Sequence, residues 1–162
     1  MIRFAQHVSL SLRQTLVLGA LALTLLALAS GASAFSFTTI DVPGASQTDA
    51  FGVNKAGQIV GFYEDASFTL HGFLRNTDGT FTTIDVPGAG STTAGGISGR
   101  KIVGGYSDGN GWHGFLLKRG HFLTIDVPGA QQSTAALGIS GKKIVGYYLD
   151  LLGIPHGFLA TP

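Results

Sequence analysis

Three histidines, His71, His113 and His156, each follow an aspartate by a few residues, namely Asp65, Asp108 and Asp150. A second set of aspartates, Asp41, Asp85 and Asp126, sits in the recurring segment Thr-Ile-Asp-Val-Pro-Gly-Ala. Two chemistries are open to such residues. Equivalent imidazoles converging on one axis could hold a metal ion, as zinc is held by nitrogen ligands. Alternatively, each copy spends its histidine and aspartate on hydrogen bonds that tie its own strands and turns. Recurrence in every copy favours the second, because a reactive or metal site is normally one asymmetric set. The six residues Asp41, Asp85, Asp126, His71, His113 and His156 are therefore read as structural, with no metal site and no cofactor.

Other constellations are weaker. The chain has no cysteine, and no serine lies in the Gly-x-Ser-x-Gly elbow of a nucleophile. Glycoside hydrolysis needs two carboxyl groups about 5 to 10 Å apart across a cleft. Glu64 and Asp65 form the adjacent acidic pair, and neighbouring strand residues point to opposite faces. Gly88, Ala89 and Gly90, and the pair Gly95 and Gly96, are not followed by the Lys-Ser/Thr of a phosphate loop.

In a repeated scaffold, function is best sought where the copies differ. One connector reads Glu-Asp-Ala-Ser-Phe-Thr-Leu at 64–70, Ser-Asp-Gly-Asn-Gly-Trp at 107–112, and Leu-Asp-Leu-Leu-Gly-Ile-Pro at 149–155. These connectors offer Phe68, Asn110, Trp112 and Leu152 as candidate binding residues. Aromatics in Asp/Asn/Gly-rich loops suit stacking on sugars or anchoring a protein partner. The other reading is that Trp112 and Leu152 cap the ends of the core.

The elements that position these residues follow from self-similarity. Thr39 to Ala45 returns at Thr83 and Thr124, Ile-Val-Gly at 59 returns at 102 and 144, and His-Gly-Phe-Leu at 71 returns at 113 and 156. The three repeats run over about 37–80, 81–121 and 122–160. Each unit predicts four short strands, in the first copy 49–53, 58–64, one holding 71–74, and 80–86. Short Asn/Ser/Gly connectors join the first two strands as hairpin turns. Proline at 43, 87 and 128 stops the fourth strand. The amphipathic-helix period is missing. The fold expected is all-β: three four-stranded antiparallel repeats in a closed, propeller-like arrangement with pseudo-threefold symmetry. A β-prism or β-trefoil is the alternative. Because residues 35–42 repeat a fourth strand and 156–159 a third, the chain ends are expected to meet and complete one unit. A dimer pooling two sets of three units into six is a further arrangement the pattern allows, since propellers usually have four to eight blades.

The combined motifs, Gly-Ile/Val-Asn/Ser, Gly-x-Ile-Val-Gly-x-Tyr and His-Gly-Phe-Leu, resemble the bacterial extracellular HAF repeat, named for its His-Ala-Phe signature. The match spans essentially residues 35–162, with glycine at 72, 114 and 157 where that family has alanine. The resemblance implies an exported, glycine-rich, propeller-like β-repeat protein, and carries no implied catalytic activity or ligand.

The N-terminal residues supply an address. Arg3 and Arg13 precede an apolar run over 16–29, no acidic residue occurs before Asp41, and Ala32-Ser33-Ala34 fits a cleavage site. Residues 1–34 read as a Sec-type signal peptide cleaved after Ala34, or else retained as an anchor, and 35–162 as one domain that is secreted or periplasmic. Without Arg3 and Arg13, eight basic residues face nine acidic ones, which disfavours nucleic acid. The expectation is a non-catalytic binding or structural module of the envelope or extracellular space. Its partner would be a glycan or an envelope protein, with no membrane contact after cleavage. A glycan-acting hydrolase on the same scaffold is the alternative.

Overall fold

The computed structural model describes residues 35–131 and 133–162. The signal-peptide expectation for 1–34 lies outside the described residues. The chain divides into two units, residues 1–39 and 40–162. In the first, the described residues 35–39 carry no regular structure.

The second unit is all-β, in three antiparallel sheets that follow one another along the chain. Sheet one contains β1 (Gln47–Val53), β2 (Ile59–Glu64), β3 (Leu70–Arg75) and β4 (Phe81–Ile84). Sheet two contains β5 (Ser91–Ser98), β6 (Lys101–Asp108), β7 (Gly111–Lys118) and β8 (His121–Ile125). Sheet three contains β9 (Thr134–Ser140), β10 (Lys143–Leu149) and β11 (Pro155–Ala160). In each sheet every strand pairs with its sequence neighbours, so local hairpins build the whole meander.

Proline and glycine set the handover between sheets. Val42, Pro43, Gly44 and Ala45 make a turn closed by the Ala45 N–H donating to the Val42 carbonyl. Gly44 has a φ of 82°, which a type II turn needs at its third residue and which only glycine supplies without strain. The same turn recurs at Val86 and Val127. Each turn is pinned to the next sheet by a threonine. The Val42, Val86 and Val127 N–H groups donate to Oγ1 of Thr48, Thr92 and Thr134, at 3.1, 3.1 and 3.3 Å. That diversion ends β4 at Ile84, two residues earlier than the alternation predicts.

One expected strand is not formed. Residues 35–42 have no strand structure, and sheet three has three strands. A strand is sustained by its ladder, and no described strand pairs with this segment.

Two cores join the three sheets in series. Val60 and Ile84 of sheet one pack with Ala94, Ile97, Ile102 and Phe115 of sheet two. Val103 and Leu116 of sheet two pack with Ala136 and Ile144 of sheet three. In β6 the neighbours Ile102 and Val103 therefore enter different cores, as the two-residue period of a strand requires. The middle sheet is covered on both faces.

Candidate functional site

Each histidine stays within its own repeat. His71 Nδ1 lies 3.0 and 3.1 Å from the Asp85 oxygens, and Nε2 lies 3.4 Å from Asp65 Oδ2. His113 pairs with Asp126 at 3.0 Å, with Nε2 3.3 Å from Asp108 Oδ1 but outside hydrogen-bond geometry. His156 reaches Asp150 at 3.1 Å. A tyrosine ring covers each histidine: Tyr63, Tyr106 and Tyr148 stack at 5.1, 5.2 and 5.3 Å. Among the described residues no group of three or more His, Cys, Asp or Glu could hold a metal ion. These residues act as staples. The lower aspartate folds the connector, as when Asp65 Oδ1 accepts the N–H groups of Ser67 and Thr69, and in the first two repeats the histidine ties that turn to the upper aspartate, one residue past the end of the fourth strand.

His71, Asp65, Asp108 and Asp150 are displaced from their ordinary pKa values. Partial burial opposes the charge on His71, but the hydrogen bond and charge of Asp85, reinforced by Asp65, outweigh it and raise its pKa. Backbone N–H groups hold the carboxylates down, that of Thr69 first for Asp65, of Asn110 for Asp108 and of Ile154 for Asp150. A raised histidine pKa contributes stability that is fully present below the ordinary value of about 6.5 and is lost as pH rises through the folded value. Lowered aspartate values contribute stability present above the ordinary value of about 3.9 and lost as pH falls through the folded values. The melting temperature is therefore expected to fall on the alkaline side of about pH 6.5, and His71→Gln to flatten that limb while leaving the acid limb. An unchanged alkaline limb in thermal melts of the variant would show that His71 is not its source.

The connectors are tight turns. Phe68 has a φ of 61° and its ring is exposed. Asn110 sits where its N–H donates to Asp108 Oδ1, and Leu152 where its N–H donates to Asp150 Oδ1. These three side chains do not line the groove in which Trp112 lies.

That groove, about 550 Å³, runs across all three sheets. Its walls carry Phe51 and Phe62 from sheet one and Leu137 and Tyr147 from sheet three, with Trp112 between them. Two local features open it. The first is a β-bulge in the leading strand of every sheet, at Phe51, Gly95 and Leu137, where the ladder skips one residue. A bulge re-aims its extra residue, and all three bulge residues line the groove. The second is a change of side chain: at matching places sheet one has Phe51 and Phe62, sheet three has Leu137 and Tyr147, and sheet two has Gly95 and Gly105. The two glycines remove the bulk that would fill the middle. Trp112 lies over Gly105, whose added Cβ would meet its ring at 3.4 Å. Phe51 and Phe62 hold each other at 5.5 Å between ring centroids. Thr93 and Ser133 add hydroxyls, and no Asp or Glu lines the groove.

Phe51, Phe62, Leu137 and Tyr147 escape a reading of the loops alone. The signal that finds them is the same one, difference between copies, applied to strand positions. Comparison of the chain with protein-family models, with curated proteins and with solved structures finds no match in any of the three.

Proposed function

We propose that this is an exported, non-catalytic β-repeat protein of the envelope or extracellular space that works by binding, with the aromatic groove as its receptor for a glycan. The observation that carries the proposal is the convergence of Phe51, Phe62, Trp112 and Tyr147 around a space cleared by Gly95 and Gly105. Aromatic rings offer flat apolar surface at low conformational cost, which matches the C–H face of a pyranose, while Thr93 and Ser133 can exchange hydrogen bonds with its hydroxyls. Pockets that bind small molecules share this composition, mostly apolar walls with a few polar groups. The near-balance of charge in residues 35–162 and the resemblance to HAF repeats support the same reading. In architecture the three meanders are read as blades of a propeller-like ring, a reading supported by their serial packing through shared cores.

The test is calorimetric titration with cello- and chito-oligosaccharides. The sole tryptophan, Trp112, reports the same event by fluorescence. Trp112→Ala is expected to weaken binding by about 30-fold, the equivalent of roughly 2 kcal/mol for a central aromatic anchor. Gly105→Tyr, which refills the groove, should abolish it with the fold retained. Full affinity in both variants, or no affinity for any sugar in the wild type, would sink the glycan reading. Release of shortened oligosaccharides would favour the hydrolase instead.

A further inference from the structure

The stack carries half of an interface at each end. Both internal junctions are built alike: a valine and a leucine of one sheet meet an alanine and an isoleucine of the next. At the first junction these are Val60 and Leu74 with Ala94 and Ile102. At the second they are Val103 and Leu116 with Ala136 and Ile144. Continued one step, the pattern brings Val145 and Leu159 of sheet three against Ala50 and Ile59 of a sheet one. Val145 and Leu159 are 49% and 62% exposed, whereas Val60 and Val103 are at 0%. Ala50 is likewise exposed, where its counterparts Ala94 and Ala136 are fully buried.

The strand edge tells the same story. Residues 37–42 read Phe-Thr-Thr-Ile-Asp-Val, identical to 81–86, which form β4 and its exit in sheet one. At 37–42 the same six residues form no strand, while β11 lacks the fourth-strand neighbour that β3 and β7 possess. Among the described residues Asp41 has no histidine and His156 Nδ1 has no carboxylate, although each counterpart is paired. The Tyr63 and Tyr106 hydroxyls reach Thr83 and Thr124, and by the same offset the threonine for Tyr148 is Thr39.

Glycine at 157 adds an independent indication. A Cβ at Gly72 would come within 2.8 Å of the Ile84 carbonyl oxygen and 3.4 Å of the Ala94 nitrogen. At Gly114 it would meet Ile125 and Ala136 in the same way, at 2.8 and 3.5 Å. At Gly157 its nearest neighbour is the Gly146 carbonyl, at 3.9 Å. The first two glycines are required by close approach of the fourth strand and of the next sheet. Within the described residues nothing crowds the third.

We infer that a second copy of this chain supplies both missing elements. Residues 37–40 of one copy add to β11 of the other as a fourth antiparallel strand, with Ile40 opposite Gly157 and Thr39 opposite Phe158. This is the register of Ile84 on Gly72 and Thr83 on Phe73. Asp41 then reaches His156 Nδ1, Phe37 meets Phe158 edge-on as Phe81 meets Phe73, and Ala50 and Ile59 cover Val145 and Leu159. The contact is head-to-tail, so each copy retains one unused face, complementary to the one left on its partner, and the assembly must close or propagate. Two copies close with six sheets, inside the usual four to eight of propeller rings, whereas three copies would need nine. This inference does not depend on what the groove binds.

Sedimentation equilibrium of the protein recovered from expression of the full chain, over a dilution series, tests it. The wild type is expected at twice the chain mass. Gly157→Val, which none of the described residues of one copy obstructs, is expected at the single-chain mass with an unchanged circular dichroism spectrum. Asp41→Lys should raise the dissociation constant at least tenfold. A wild type that stays single at every concentration, or a Gly157→Val protein that still pairs, overturns the inference. Masses that climb without limit overturn the six-sheet closure.

Discussion

Gly104→Val is expected to abolish the native state. The Cβ built at Gly104 collides with the Thr93 carbonyl oxygen and falls 2.7 and 2.8 Å from two carbons of the Phe115 ring. The cause is the β-bulge at Gly95, opposite which β6 is drawn onto the backbone of β5. Gly61 and Gly146 face the carbonyls of Asp49 and Ala135 in the same way. Overpacking a core ordinarily costs about 1–3 kcal/mol, because side chains and backbone can yield. Here the obstacle is a carbonyl held in a ladder, and relief means breaking the β5–β6 pairing. The expected loss is above about 4 kcal/mol, a large part of the 5–15 kcal/mol of a typical domain. Gly105→Ala is the control: its Cβ would make an ordinary 3.4 Å contact with Trp112, so the melting temperature should hardly change. Neighbouring glycines thus serve different ends, one letting two strands approach and the other leaving a groove empty. Far-UV circular dichroism and thermal melts of both variants separate these roles. A Gly104→Val protein that melts near the wild type would refute the close-approach account.

Phe115→Ala is expected to cost about 3–5 kcal/mol, the usual range for deleting a fully buried aromatic ring. Phe115 is at 0% exposure and lies in the core shared by sheets one and two. It also holds Phe122 edge-on at 5.4 Å. Removing it loses transfer energy and leaves a cavity between two sheets that backbone contacts prevent from collapsing. The counterpart in sheet three, Phe158, is only partly buried. Phe158→Ala should therefore cost clearly less at concentrations where copies are apart, and more where they pair. Urea denaturation of both variants at two protein concentrations measures the difference. Equal losses that are independent of concentration would refute the unequal cover assigned to the two rings.

Much of the fold was legible in the chain because its determinants are local. Asn54, Gly57, Ser98 and Gly99 announce hairpin turns, and the Val-Pro-Gly-Ala turns announce where each sheet hands over to the next. Loops read less well as sites. Phe68 and Leu152 differ between copies and look like anchors, yet each belongs to a small turn organised by an aspartate two or three residues away. Trp112 stands at the base of its connector, as the second residue of β7, and so lines the groove.

Of the recurring His and Asp residues, His71 pairs with Asp85, His113 with Asp126 and His156 with Asp150, each within its own repeat. The all-β class, the three copies and the turns between them are legible in the chain, because alternation, proline and glycine act over a few residues. Tertiary structure alone decided which glycines are crowded by backbone and which leave space, and that Phe51, Phe62, Trp112 and Tyr147 meet. It also decided that the six residues forming β4 in sheet one form no strand at 37–42. The physical reason is shared: a bulge, a groove and a ladder are relations between strands distant in the chain. A residue's own identity does not say whether its neighbour across the sheet is present.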